Sequence, residues 1–146
     1  MKLISLVLTL FASQAAFADS WIYQVKEKKL KGVTLSSYRD ENALEHYRIG
    51  HFVDAKAIEK ESVTKSEFLY QTGYGARLVK DLSLAPNDAA CTRNLLVTQN
   101  NATKICYRLD DNARKDFYEW HDYLEKYILS KEEKDNLILK RHLNKP

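Results

Sequence analysis

The feature that most constrains this chain is an amphipathic helix pattern in its C-terminal third. After residue 112, large apolar side chains and one histidine recur at spacings of three and four, so they share one helical face. Lys115, Glu119 and Asp122 fall on the opposite face. Because such a stripe must be buried, we expect Trp120 and Leu124 to be core residues. The whole stripe consists of Phe117, Trp120, His121, Leu124, Tyr127 and Ile128.

A second helix is predicted directly after the first. Ser130 and Glu133 match a capping box, in which the two side chains satisfy backbone N–H groups at a helix start. Leu137, Ile138 and Leu143 supply apolar positions beyond it. The short link between the two segments predicts a C-terminal antiparallel helical pair.

The N-terminus has the pattern of a cleavable signal peptide at residues 1–18. Lys2 gives a positive start, residues 3–11 are apolar, and residues 16–18 read Ala-Phe-Ala, a small-x-small cleavage site. The apolar run is too short to span a bilayer. We therefore expect an exported protein with a single globular domain over residues 19–146, and the style of the signal favours a periplasm.

Charge and the start of the mature chain exclude some partner classes. The first 18 residues hold one of the 23 basic residues and none of the 20 acidic ones, so the remainder carries only +2. This near-neutral balance gives no reason to expect nucleic-acid binding. Position 19 is Asp rather than Cys, so no membrane anchor is indicated.

Cys91 and Cys106 are the only cysteines. An even pair in a small exported domain predicts a disulfide. It would close a loop of about 15 residues, worth roughly 3 kcal/mol in the chain-entropy model. The spacing is not that of a C-x-x-C redox motif, which favours a structural role.

The middle of the chain gives two helix predictions and a hairpin. Residues 37–61 are rich in Ala, Glu and Lys with apolar side chains at spacings of three and four, which predicts a helix. Residues 66–84 fit a strand or a helix, and the capping box of Thr64 and Glu67 favours the helix. Residues 93–109 read as a β-hairpin around an Asn-rich turn.

These elements predict a mainly α fold: a small single domain with a disulfide-linked β-hairpin at about 93–109 and the C-terminal helical pair. The alternative is an α+β fold. Residues 21–25 alternate as a short strand would, although Ile22, Val25 and Leu30 also fit a helical turn.

No catalytic or metal-binding motif stands out. His46 and His51 are five residues apart, and no H-E-x-x-H motif occurs. His121 and Glu125 are four apart, but His121 lies on the apolar face, where a histidine is usually a core or rim residue. We therefore expect no metal, no cofactor and no enzymatic activity. A small hydrolase using His121 or His51 is the alternative.

Part of the chain resembles the periplasmic amidase-immunity (Tai-like) proteins of type VI secretion systems. The resemblance covers about a third of the mature chain and implies a non-enzymatic inhibitor that blocks a toxin's active site. The similar residues are Ile105, Cys106 and Tyr107, then Asp122, Tyr123 and Leu124, and Gly73 with Tyr74.

We therefore expect an exported binding protein that inhibits a partner protein, such as a secreted toxin or an envelope enzyme. The alternative is a general envelope stress or chaperone-like protein that binds unfolded chains. Tyr118 and Tyr123 fall outside the apolar stripe of the helix, and Tyr74 stands between two glycines. Exposed aromatic side chains mark interaction surfaces, so we predict that these three tyrosines bind the partner. The alternative is structural: Tyr118 would cover a neighbouring loop, and the glycines beside Tyr74 would mark a kinked helix.

Overall fold

The computed structural model describes residues 16–60, 63–86 and 90–143, with side chains described from residue 19 and up to residue 128. The predicted signal peptide lies outside the described residues except for residues 16–18, whose backbone begins the first strand.

A six-stranded antiparallel sheet forms the centre of the fold, so the prediction of a mainly α domain is wrong. Its order is β4-β3-β2-β1-β5-β6. The described residues add two helices, α1 (Lys65–Val79) after β4 and α2 (Asp111–Leu143) after β6. The strands are β1 (Ala16–Lys26), β2 (Leu30–Arg39), β3 (Glu45–Val53), β4 (Lys56–Lys60), β5 (Leu95–Gln99) and β6 (Thr103–Tyr107).

The helix predicted over residues 37–61 is wrong, because the described part of this segment, residues 37–60, holds the end of β2 and all of β3 and β4. Tyr47, Ile49 and His51 are buried at every second position, which is the period of a strand with one face in the core. Ala43 and Asp54 adopt positive φ angles of 60° and 52° on either side of β3, where the chain turns. Non-local strand pairing therefore overrides the helical composition.

The segment with two alternatives, residues 66–84, is a helix as far as Val79, and Leu84 beyond it forms an isolated β-bridge with Tyr107. α1 begins after Thr64, whose hydroxyl accepts a hydrogen bond from the Glu67 backbone N–H at 3.2 Å, as the capping box predicts. Gly75 is buried within this helix against the ring of Tyr23 in β1. Residues 66–79 therefore lie on the sheet as a packed helix.

The hairpin and the disulfide are confirmed. β5 and β6 pair around Asn100 and Asn101, which take positive φ angles of 53° and 57°. Cys91 and Cys106 are joined, with Cα atoms 5.8 Å apart, and this bond ties the segment before β5 to β6. A disulfide of this kind is typical of an oxidising compartment.

The predicted C-terminal helical pair is wrong, because α2 runs without a break for 33 residues. Ser130 lies inside the helix, whereas a cap residue leaves helical geometry. No Gly or Pro occurs between residues 111 and 143, and the Lys and Glu residues after Ser130 are good helix formers. The capping pattern at Ser130 is therefore not accompanied by a helix-breaking residue, and the helix continues through it.

Both helices pack on one face of the sheet, where the core lies. Trp120 and Leu124 are buried, as predicted for the apolar face of α2. The strands contribute their alternating inward side chains. The central members of this core are Tyr23, Val25, Val33, Leu35, Ile49, Phe68, Leu95, Val97, Phe117, Trp120 and Leu124.

Candidate functional site

A groove with an aromatic lining lies between the two helices. α1 and α2 cross the same sheet face, and side chains one turn apart on each helix point toward the space between them. The groove encloses about 250 Å³. Its lining residues are Tyr70, Gln71 and Tyr74 from α1, with Glu119, Trp120 and Tyr123 from α2.

The floor of the groove is held in one arrangement. The indole N–H of Trp120 donates a hydrogen bond of 2.8 Å to the Gln71 side-chain oxygen, and both side chains are buried. The Tyr74 ring lies 5.0 Å from the Trp120 ring, and Tyr23 approaches Trp120 edge-on at 5.2 Å from below. A buried polar pair enclosed by aromatic rings resists rearrangement, so the floor is preorganised.

The rim is exposed and aromatic. Tyr70 is 63% exposed and Tyr123 is 56% exposed, which is a large solvent-facing area for such side chains. Tyr123 stacks on Tyr127 with ring centroids 6.2 Å apart. Tyr127 is itself hydrogen-bonded to the Glu67 carboxylate of α1. The rim at Tyr123 is therefore braced while its outer face stays open.

The groove carries negative charge beside its rings. Glu119 lines it, and Tyr74 donates a hydrogen bond of 3.4 Å to the backbone carbonyl of Asp116. Partial burial raises the pKa of Tyr74 above its usual value, and the nearby charges of Asp116 and Glu119 add to that shift. Lys115 lies 3.9 Å from Glu119, but both side chains are exposed and such pairs are weak. Glu119 therefore remains able to bind a cation.

The structure brings together two of the three tyrosines predicted to bind a partner, Tyr74 and Tyr123. Tyr118 lies elsewhere: it is half-buried beside Phe117, with the Lys31 ammonium 5.5 Å from its ring. Burial, and next the hydrogen bond with Glu27, raises the pKa of Tyr118 to about 12. Its role in partner binding stays a prediction, on a surface separate from the groove.

Sequence reasoning missed Tyr70, Gln71 and Glu119 as groove residues. Tyr70 and Tyr74 are four apart, so they share a face only if their segment is a helix. Once residues 65–79 are known to be helical, this spacing indicates that Tyr70 and Tyr74 lie on the same side of α1. Gln71 carries no signal of its own, because its importance comes from Trp120 on another element.

A second polar cluster lies under the opposite flank of α2. His51 on β3 is buried, and its ring centroid lies 5.7 Å from that of His121 on α2. Nδ1 of His121 is 3.8 Å from a carboxylate oxygen of Glu125, one turn along the helix. His51, His121 and Glu125 each offer one ligand atom, and these atoms all lie within 4.8 Å of one another. These residues could hold a metal ion.

Comparisons with protein-family models, curated proteins and solved structures gave no match for this chain. Among the residues described, neither helix is long and apolar enough to cross a membrane.

Proposed function

We propose that this is an exported, non-enzymatic binding protein that inhibits a partner protein by holding one of its side chains in the groove between α1 and α2. The observation that carries the proposal is the convergence of Tyr70, Tyr74, Trp120 and Tyr123 with one carboxylate on a rigid floor. Such rings supply large contact area at low conformational cost, and residues of this type dominate binding at interfaces.

The size of the groove favours a partner's side chain over a small-molecule substrate. Pockets for small ligands usually enclose roughly 300–1,000 Å³. The groove, at about 250 Å³, is smaller and opens at a rim of exposed tyrosines. It suits an anchor residue whose neighbours lie on the surrounding surface.

The chemistry of the groove favours a cationic anchor. Aromatic faces attract Arg and Lys, and guanidinium groups also stack on such rings. Glu119 supplies a carboxylate at the same place, and Asp116 lies close to Tyr74. The partner is therefore a protein that presents an exposed Arg or Lys side chain.

The compartment and the inhibitor role rest on the sequence and the disulfide. The signal-peptide pattern and the Cys91–Cys106 bond agree with function in the periplasm. The resemblance to amidase-immunity proteins favours an inhibitor of a secreted toxin or an envelope enzyme. One preorganised groove also fits a single stoichiometric partner better than many unfolded chains.

The proposal is tested by isolating the partner and then measuring affinity. The mature protein captures proteins from periplasmic extract, and isothermal titration calorimetry gives the Kd of each purified candidate. Tyr70→Ala and Tyr123→Ala should each weaken binding by at least about 1 kcal/mol, roughly fivefold in Kd. Leu84→Ala is the matched control, since Leu84 is similarly exposed but lies outside the groove.

Two further results decide between functions. Changing the anchoring Arg or Lys of the partner should weaken binding to the wild type but add little to the effect of Tyr123→Ala. Capture of many unrelated proteins with weak affinities, or equal Kd values for wild type and both tyrosine variants, would contradict the proposal. The first of these outcomes would support the chaperone-like alternative.

A further inference from the structure

Two histidines from different elements face one another in the interior. His51 is buried on the core face of β3, and His121 is fully buried on the sheet-facing side of α2. Buried histidines are less common than buried apolar residues, and each must satisfy two ring nitrogens. They therefore place four polar ring nitrogens side by side under one flank of α2, where the helix meets the core face of the sheet.

The hydrogen bonding of His121 fixes its tautomer. Nε2 lies 3.1 Å from the backbone carbonyl oxygen of Phe52, which can only accept, so Nε2 carries the proton. Nδ1 of the neutral ring then presents a lone pair. Nδ1 is buried and has no hydrogen-bond partner among the described residues, and carboxylate oxygens of Glu125 and Asp122 lie 3.8 Å and 3.9 Å from it.

This arrangement is the one that metal-binding histidines adopt. Such a histidine usually donates its second ring N–H to a backbone carbonyl or a carboxylate, which orients the ring and leaves the other nitrogen for the metal. In His121, Phe52 supplies the carbonyl and Nδ1 points toward Glu125. We propose that His51, His121 and Glu125 bind one divalent transition-metal ion, with Zn²⁺ as the representative case.

The distances allow the site to close on an ion. Tetrahedral zinc bonds of about 2.0–2.1 Å place ligand atoms roughly 3.3 Å apart. The three ligand atoms here lie within 4.8 Å of one another, so they must approach by about 1.5 Å at most. The Glu125 oxygen already lies 3.8 Å from Nδ1 of His121, so most of the movement involves His51, and Glu125 can follow it because its side chain is 38% exposed.

The donor set selects the class of metal. Two imidazoles suit Zn²⁺, Cu²⁺, Fe²⁺ or Ni²⁺, whereas Mg²⁺ and Ca²⁺ prefer oxygen ligands. Three protein ligands leave one tetrahedral position for water, on the side where Glu125 reaches solvent. Asp122 lies beside this opening and can hold that water by a hydrogen bond. The site is independent of the aromatic groove, so its failure would leave the proposed function untouched.

The test uses the full mature protein after removal of metal with a chelator. Titration with ZnCl₂ by calorimetry, together with native mass spectrometry, should show one bound Zn²⁺ per chain, and MgCl₂ should show none. Glu125→Gln keeps the shape of the side chain and should weaken Zn²⁺ binding at least about tenfold, the lower end of the loss seen for metal-supporting residues. Because Glu125 is partly exposed, this variant should fold.

Two control variants separate the site from adventitious binding. Glu59→Gln makes the same change on β4, where Glu59 pairs with Gly50 on the sheet face opposite His51. His46→Gln removes a histidine that lies 2.7 Å from Asp40 at another position on the surface. Both should bind Zn²⁺ as the wild type does.

Cobalt provides a second measurement. Co²⁺ at this site should give the strong visible absorption of a four-coordinate ion, and Glu125→Gln should change that spectrum. Absence of one-to-one Zn²⁺ binding, or equal Zn²⁺ affinities for wild type and Glu125→Gln, would overturn the proposal. The two imidazoles would then be core residues, with His121 facing the carboxylates of α2 and no ion.

Discussion

Trp120 and His121 are neighbours in α2, yet they face opposite flanks of the helix and differ in how their polar atoms are hydrogen-bonded. Trp120 faces α1 and donates its single N–H to Gln71. His121 faces β3 and donates one N–H to Phe52, but its second nitrogen has no hydrogen-bond partner in the part of the chain that the structure describes. Both side chains are buried.

The difference shows why burial alone does not separate structural from functional residues. An indole has one polar atom, so a single hydrogen bond satisfies it, and Trp120 can act as a passive floor for the groove. An imidazole has two polar atoms, and the second one at His121 lies near a carboxylate in a partly open position. The unsatisfied ring nitrogen of His121 therefore makes the β3 side of α2 the candidate for metal binding. Trp120 has no unsatisfied polar atom, so the α1 side is a candidate for contact with a partner.

The largest effect is expected at Trp120, because it belongs to both the core and the groove floor. Trp120→Ala should lower the free energy of unfolding by about 3–5 kcal/mol, through lost burial and a residual cavity. It also leaves the buried Gln71 oxygen without its donor. Urea denaturation followed by circular dichroism measures the change.

The control for this prediction is Tyr123→Ala on the exposed rim of the same helix, which should stay within about 0.5 kcal/mol of wild type. Equal stabilities for Trp120→Ala and wild type would mean that α2 does not pack on the sheet as described.

A smaller loss of stability is expected at Gly75, where α1 meets the sheet. A Cβ at this position would lie 2.6 Å from the Tyr23 ring, and that ring is wedged against Trp120. Overpacking typically costs about 1–3 kcal/mol. The better helix propensity of Ala returns about 1 kcal/mol, so Gly75→Ala should lower the free energy of unfolding by roughly 1 kcal/mol.

In Gly75→Ala the added methyl group should push α1 away from Tyr23. This displacement should disturb the hydrogen bond between Trp120 and Gln71. Tryptophan fluorescence of Gly75→Ala in a Trp21→Phe background, where Trp120 is the remaining tryptophan, reports on that change. Unchanged stability together with an unchanged Trp120 spectrum would show that Tyr23 can move aside freely.

Local patterns predicted the parts of the fold that local interactions determine. The apolar face of α2, the Thr64 cap and the Asn100–Asn101 turn follow from residues close in sequence, and all three are confirmed. The disulfide, predicted from an even pair of cysteines in a chain expected to be exported, is also confirmed. β3 was missed because its alternation at Tyr47, Ile49 and His51 coexists with helical spacings in the same stretch. Only its pairing with β2 and β4 decides between the two, and that pairing is not visible locally.

The residues of the candidate sites also divide into those that local sequence patterns indicate and those that only tertiary structure brings together. Tyr74 and Tyr123, which line the groove, were both singled out from sequence, Tyr74 because it stands between two glycines and Tyr123 because it lies outside the apolar stripe of α2. Tyr118 departs from that pattern too, but it packs beside Phe117 under Lys31 from the sheet. The approach of His51 to His121 depends on tertiary structure alone, so each histidine could only be considered separately from sequence.

The smallest effect is expected at Gly73, two residues from Gly75 on the same helix. A Cβ there would meet no atom of the described residues within 4 Å, so Gly73→Ala should raise the free energy of unfolding by about 0.5–1 kcal/mol through helix propensity alone. Urea denaturation measures it against Gly75→Ala, and the two variants should change stability in opposite directions. Because Gly73 does not line the groove, the Kd for the partner should also stay unchanged. If Gly73→Ala is more stable but binds the partner more weakly, the partner must approach the α1 backbone beside Tyr74, and the interface would extend beyond the six groove residues.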